Sequence, residues 1–115
     1  MTKVIRGLHS LISPKTHFHM FLSSESWYDA MKKYENSIIS ILDDLRENNG
    51  FSITLFLNDG RKLRYVGFTA YDGYRIAYFY NNVPYGHFDE NTYGMFIDEI
   101  CGYAKNGLDL YVKAV

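Results

Sequence analysis

The histidine and cysteine residues are the first candidates for chemistry in this sequence. His17 and His19 are separated by one residue, so on a strand their imidazoles point to the same side and could supply two ligands to a zinc ion. The sequence does not place a third ligand near them, because His9 and His87 belong to other segments. We therefore interpret the pair as a polar strand face, and we expect neither a metal site nor another cofactor.

The patterns that catalysis requires are missing from the sequence. Cys101 is the only cysteine, and it falls on the apolar stripe of a predicted helix, where a thiol usually packs as a small hydrophobe. The acidic pairs at 43–44, 89–90 and 98–99 are adjacent, and adjacent residues on a helix do not face each other. There is neither a phosphate-binding glycine loop nor a nucleophile elbow. These observations predict a protein without enzymatic activity.

Length and composition limit the class of protein. The chain has 115 residues, which predicts a single domain over 1–115, with residues 1–15 as an N-terminal arm or a short helix. No apolar run reaches the length of a membrane span and no signal peptide is recognisable, so we expect a cytoplasmic protein without a membrane partner. One cysteine excludes an intrachain disulfide, and a net charge of −1 argues against a general binder of polyanions.

Apolar residues at spacings of three and four predict two main helices. The first covers 26–48 and is ended by the Asn-Asn-Gly of 48–50. The second covers 91–105 and is ended by the Asn-Gly of 106–107. The charged side of the first helix is interpreted as a solvated face. It carries Lys32, Lys33, Glu35, Asp43 and Arg46.

A three-stranded meander is predicted between the helices. Its first turn is a three-residue loop that ends at Gly60, because this loop places apolar residues opposite each other. Its second turn is a two-residue loop at 72–73, which places Tyr71 opposite Tyr74 and Tyr78 over the strand glycine Gly67. The predicted strands are 51–57, 61–70 and 74–80.

The outer segments complete the predicted fold. Alternation predicts a short strand over 16–22 and a final strand over 108–114, and the segment 81–88 is predicted to be a loop. Residues 4–12 fit a short helix, although a strand over 2–6 is the alternative. The fold class is therefore α+β, a mostly antiparallel sheet with both main helices packed on one of its faces.

The predicted pairing divides the meander into two faces. The aliphatic face is expected under the helices, and the second face mixes basic and aromatic side chains. Rings that stack on bases, beside cations that meet phosphates, are typical of sheets that bind RNA or single-stranded DNA. Two alternatives stay open, since the N-terminal arm could cover this face or a protein could bind it. The residues concerned are Phe56, Lys62, Arg64, Phe68, Arg75 and Phe79.

The order of elements resembles that of the RNA-recognition motif, with an additional strand in the middle. Residues 64–71, Arg-Tyr-Val-Gly-Phe-Thr-Ala-Tyr, stand where that family carries its aromatic motif, and the resemblance implies RNA binding by the sheet. Tyr65 and Val66 replace the glycine and the first aromatic residue of that motif. We therefore do not assign the chain to the family.

Tyrosine supplies 11 of the residues and is concentrated in and around the segment 71–88. Aromatic residues are enriched in β-rich folds, but tyrosine also suits partly hydrated interfaces because its ring is apolar and its hydroxyl polar. We predict a small non-catalytic interaction protein that binds another protein or captures a small ligand, similar in type to phage and mobile-element inhibitors or immunity proteins. Dimerisation through a sheet edge stays open. The predicted partner-binding residues are Tyr71, Tyr74, Tyr80, Tyr85, His87, Asp89 and Glu90.

Overall fold

The computed structural model of the protein describes residues 2–7, 24–48, 50–71 and 73–114. The strand predicted over 16–22, with its two histidines, lies outside these residues. Six antiparallel strands form one sheet in the order β1-β6-β2-β3-β4-β5, and two helices pack against it, which confirms the α+β class. The elements are β1 (Thr2–Ile5), α1 (Ser24–Asn48), β2 (Phe51–Phe56), β3 (Lys62–Ala70), β4 (Gly73–Tyr80), β5 (Val83–Phe88), α2 (Tyr93–Lys105) and β6 (Leu110–Ala114).

The core lies between the two helices and one face of the sheet. The helix stripes read from the sequence are the sides that α1 and α2 bury, and the odd-numbered residues of β2 and β3 meet them. Each fully buried aliphatic or aromatic side chain contributes about 1.5–3 kcal/mol to the free energy of unfolding. The centre of the core consists of Ile38, Leu42, Phe51, Ile53, Leu55, Leu63, Tyr65, Ile76, Phe96, Ile100 and Leu110.

The turn between β2 and β3 is the three-residue loop that the sequence predicts. The Leu57 amide donates to the carbonyl of Arg61 at 2.8 Å, and Gly60 has a φ of +90°, a conformation that glycine adopts without strain. Leu55 lies opposite Leu63, so the aliphatic residues of both strands share one face.

The register between β3 and β4 differs from the prediction by two residues. The structure pairs Thr69 with Tyr74 and Gly67 with Ile76, whereas the expected two-residue loop places Tyr71 opposite Tyr74. A shift of two leaves every side chain on its predicted face, because strand side chains alternate with a period of two. Packing above Gly67 explains the shift. A Cβ added to this glycine would collide with the Tyr74 hydroxyl, so Tyr74 rather than Tyr78 covers it.

The segment predicted as a loop at 81–88 forms the edge strand β5. Asn81 and Asn82 have φ angles of 49° and 70°, so they form the tight turn that joins two strands with the natural twist. Pro84 and Gly86 explain why the sequence predicts a loop here, since both residues are rare in strands. An edge tolerates the proline, and a bulge interrupts the pairing beside it.

The described N-terminal residues contain a strand where the sequence analysis predicts the start of a helix over 4–12, and residues 8–12 of that prediction lie outside the described part of the chain. Thr2–Ile5 pairs with β6, as the alternative over 2–6 anticipates. The Gly7 amide donates to a carboxylate oxygen of Asp109 at 2.8 Å, and an added Cβ at Gly7 would collide with the Gly107 backbone. This close approach fixes the end of β1 beside the turn that follows α2.

We predict different effects on stability from removing two buried tyrosine hydroxyls. The Tyr65 hydroxyl donates to the Glu99 carboxylate at 2.7 Å, whereas the Tyr74 hydroxyl is buried without a hydrogen-bond partner among the described residues. Tyr65→Phe should lower the free energy of unfolding by about 1 kcal/mol, and Tyr74→Phe should leave it unchanged or raise it by up to about 1 kcal/mol. Urea denaturation measures both, and a larger loss in Tyr74→Phe than in Tyr65→Phe would contradict the assignment.

Candidate functional site

One surface of the sheet is basic and aromatic. The side chains on the side of the sheet opposite the helices include all six residues that the sequence analysis assigns to nucleic-acid binding, together with two residues of β6. We call this surface the basic face. It comprises Phe56, Lys62, Arg64, Phe68, Arg75, Phe79, Tyr111 and Lys113.

Both helices pack on the other side of the sheet, so in the described part of the chain no helix covers the basic face. The Phe96 ring of α2 stacks on Phe51 at 5.7 Å between ring centres, and Phe51 points to the helix side. On the basic face the Phe56 and Phe68 rings are 55% and 40% exposed. A depression of about 430 Å³ lies across this face and is lined by residues of four strands, Arg64 and Lys113 among them.

A second surface lies at the hairpin of β4 and β5. The Tyr80 and Tyr85 rings meet edge to face at 4.7 Å between centres, and the Tyr78 ring lies 5.6 Å from that of Tyr85. The Arg61 guanidinium lies 5.7 Å from the Tyr80 ring, and its Nε donates to the Asp59 carboxylate at 2.7 Å, which fixes it in place. We call Tyr78, Tyr80, Tyr85, Val83 and Arg61 the tyrosine cluster. Val83 and Tyr85 are its most exposed described members.

Arg46 is the centre of a third group, which holds the ends of several elements together. Its guanidinium lies 4.9 Å from the Tyr74 ring centre and 4.3 Å from that of Tyr93, and it forms an ion pair with Glu90. Glu90 also accepts the Tyr74 amide at 3.2 Å, and the Tyr93 hydroxyl donates to Asp43 at 3.0 Å. These contacts join α1, the β3–β4 turn and the start of α2.

The structure therefore distributes the predicted partner-binding residues over several places. Tyr80 and Tyr85 come together in the tyrosine cluster, whereas Tyr74, which is only 6% exposed, and Glu90 contact Arg46. Tyr71 is fully exposed at the tip of the β3–β4 hairpin.

Asp89 and His87 have separate positions. The Asp89 carboxylate accepts the amides of Asn91 and Thr92 at 2.9 and 3.0 Å, and the Thr92 hydroxyl accepts the Asp89 amide in return. These bonds hold the turn at 89–92 that leads into α2, and the Thr92 amide in particular lowers the pKa of Asp89. His87 lies opposite Ala77 on the same side of the sheet as the basic face.

The sequence analysis missed the role of Arg46, because it interpreted the charged side of α1 as solvated. A signal was present in the spacing: Arg46 follows the buried Leu42 by four residues, so it borders the apolar stripe. For β5 the signal was the Asn81-Asn82 pair, since asparagine tolerates the positive φ that a two-residue hairpin turn requires.

The chemistry of the described residues is limited. Burial raises the pKa of the Cys101 thiol to about 11, so this buried cysteine is a poor nucleophile at neutral pH. Among the described residues, no three His, Cys, Asp or Glu side chains come close enough to hold a metal ion. Neither described helix combines the length and the apolar character needed to cross a membrane.

No protein-family model, curated protein or solved structure matches this chain. The function is therefore argued from the surfaces of the molecule alone.

The buried tyrosines predict an alkaline limit to stability. Burial raises the pKa values of Tyr34 and Tyr74 to about 12, and it raises those of Tyr65 and Tyr93 as well, whereas an unfolded tyrosine ionises near 10. Since the folded pKa is the higher one, the stabilisation is complete below pH 10 and is lost as the pH rises towards 12. Tyrosinate absorbance and circular dichroism should therefore change together in this range.

Tyr74→Phe is the matched variant for this titration. It removes one of the groups whose ionisation drives unfolding, so its alkaline transition should lie at a higher pH than that of the wild type. Complete ionisation of the tyrosines near pH 10 with the fold intact would contradict the burial argument.

Proposed function

We propose that this chain is a small non-catalytic binding protein that recognises another protein through the tyrosine cluster. The proposal rests on one observation, the contact of the exposed Tyr85 ring with Tyr80 at 4.7 Å at the edge of the sheet. Tyrosine and arginine carry a large share of the binding energy at protein interfaces, because they combine apolar area with hydrogen-bonding groups. A ring already held by its neighbours also loses little conformational entropy when it binds.

The backbone of β5 favours contact through side chains rather than through an added strand. Pro84 has no amide hydrogen, and the bulge opposite Tyr78 and Phe79 interrupts the regular edge. Both features hinder the pairing of a further strand with this edge. We therefore place the partner over the exposed rings, and we do not propose a dimer formed through β5.

Within this proposal the protein acts in the cytoplasm by covering a surface of its target. Inhibitors and immunity proteins of phages and mobile elements act in this way. A small ligand is less favoured as the target, because small-molecule sites are concave, and Tyr80 and Tyr85 do not line the depressions found at Arg46, at Arg64 and at Leu45 in the described part of the chain.

We predict that Tyr85→Ala weakens binding to the partner by about 2 kcal/mol or more. Tyr28→Ala is the matched control, since Tyr28 is 60% exposed on α1 and Tyr85 is 68% exposed on β5. Both rings are largely outside the core, so thermal unfolding followed by circular dichroism should be nearly the same in the two variants.

Affinity purification from cells that naturally contain the chain, followed by quantitative mass spectrometry, compares the wild type with both variants. A protein captured by the wild type and by Tyr28→Ala but lost with Tyr85→Ala is then purified for measurement of its Kd. Equal capture of every partner by both variants would refute a binding role for the tyrosine cluster.

A further inference from the structure

The basic face is a surface separate from the tyrosine cluster. Tyr78 lies opposite Tyr65, whose ring packs on Phe96 of α2, so the rings of the tyrosine cluster lie at the edge of the helix-covered side. Arg64 and Phe79 alternate with these residues along β3 and β4 and therefore point to the opposite side. A ligand of the basic face would not compete with a protein bound to the tyrosine cluster.

Positive charge on the basic face is not balanced by acidic residues of the strands. In the described strands, no residue that points to this side is Asp or Glu. The basic residues there are Lys62, Arg64, Arg75 and Lys113, of which Arg75 interacts with Asp89, the residue that follows β5. The whole chain has a net charge of −1, so the rest of the molecule must be acidic. This separation of charge directs an anionic ligand to one face of the sheet.

One row of residues across the basic face combines aromatic rings with a cation. Tyr111, Thr54, Arg64 and Phe79 are directly opposite one another on four neighbouring strands. Neighbouring strands are about 4.8 Å apart, so Arg64 lies about 5 Å from Phe79 and about 10 Å from Tyr111 across the sheet. The Phe56 ring, two residues after Thr54 on β2, meets the Tyr111 ring edge to face at 5.7 Å between centres. Phe56 therefore adds a further ring beside the end of this row.

We propose that the basic face binds single-stranded nucleic acid. Bases stack on Phe56 and on the other exposed rings, while Arg64 and Lys113 contact the phosphates. The Arg64 Nε donates a long hydrogen bond of 3.4 Å to the Ser52 hydroxyl on the neighbouring strand.

The rings distinguish a single strand from a duplex and from an acidic protein. Base faces are available for stacking only when the bases are unpaired, and an acidic protein gains charge contacts but has few flat rings to offer. Cations alone would suit all three ligands. Phe56, which is 55% exposed, lies opposite Lys62, and Phe68, which is 40% exposed, lies opposite Arg75. These exposed rings beside cations favour the single strand.

The test uses the full chain and fluorescence anisotropy with labelled RNA and DNA single strands of mixed sequence, about 16 nucleotides long. A duplex of the same length and unlabelled polyglutamate serve as competitors. The charge variant is Arg64→Ala/Lys113→Ala. Its matched control is Lys32→Ala/Lys33→Ala, which removes the same charge from two exposed residues of α1. Thermal unfolding of every variant is measured beside binding, and Arg64→Gln/Lys113→Gln replaces the alanine variant if that one unfolds.

We expect single strands to bind with an affinity that falls as salt is added. The slope of log K against log salt is negative, and each lost phosphate contact reduces its magnitude by about 0.7. The charge variant should therefore reduce the magnitude by about 1.4, with an affinity loss of about tenfold or more. The Lys32→Ala/Lys33→Ala control should bind like the wild type.

The ring variant Phe56→Ala tests stacking. Loss of one stacked base should weaken binding of the single strand about fivefold or more, and should not alter competition by polyglutamate.

Four results would each overturn the proposal. The first is no binding of single strands at low salt, and the second is an equal loss of affinity in the charge variant and its control. The third is that Phe56→Ala binds single strands as tightly as the wild type does and that duplex binds as tightly as single strands. This result would indicate a purely electrostatic surface. The fourth is competition by polyglutamate as strong as that by unlabelled oligonucleotide, which would assign the face to an acidic protein.

Discussion

Two tyrosine rings that lie over strand glycines fix the register of the sheet around β4. Tyr74 fills the space above Gly67 of β3, and Tyr78 fills the space above Gly86 of β5. Neither glycine could carry a side chain without displacing a ring, so each glycine and its tyrosine select one pairing among those that the turns permit. Because register decides which residues are neighbours across the sheet, these two contacts also determine which side chains share a row on the opposite face.

The helices pack on only one face of this sheet. That face therefore forms the core, and the opposite face is left for binding. The core needs Phe51, Tyr65 and Phe96 in contact, and Arg46 then ties the end of α1 to Tyr74 and Tyr93. The side chains that point away from the helices have no part in this packing. Stability therefore does not dictate the positive charge of the basic face, and such a concentration of charge raises self-repulsion. A ligand of opposite charge is the physical reason that we offer for it.

The edge at β5 combines protection against aggregation with exposed aromatic surface. Pro84 and the bulge hinder the pairing of another strand with the backbone of β5, whereas Val83 and Tyr85 extend into solvent. This combination suits recognition by side chains, because an unprotected edge would pair indiscriminately with other strands. The Arg61–Asp59 contact and the Tyr80 ring hold the cluster in one arrangement, which lowers the entropy lost when a partner binds.

The sequence by itself determined the helix stripes, the faces of the meander strands and the β2–β3 turn, because periodicity and turn residues are local properties of the chain. It therefore also grouped Phe56, Arg64 and Phe79 on one face. It did not determine the strand at 83–88, whose proline and glycine contradict local propensity and are tolerated only at an edge. Nor did it determine the register of β4 or the place of Arg46. Both depend on contacts between residues far apart in the chain, such as the ring of Tyr74 with Gly67 on one side and with Arg46 on the other, and only the folded chain brings these residues together.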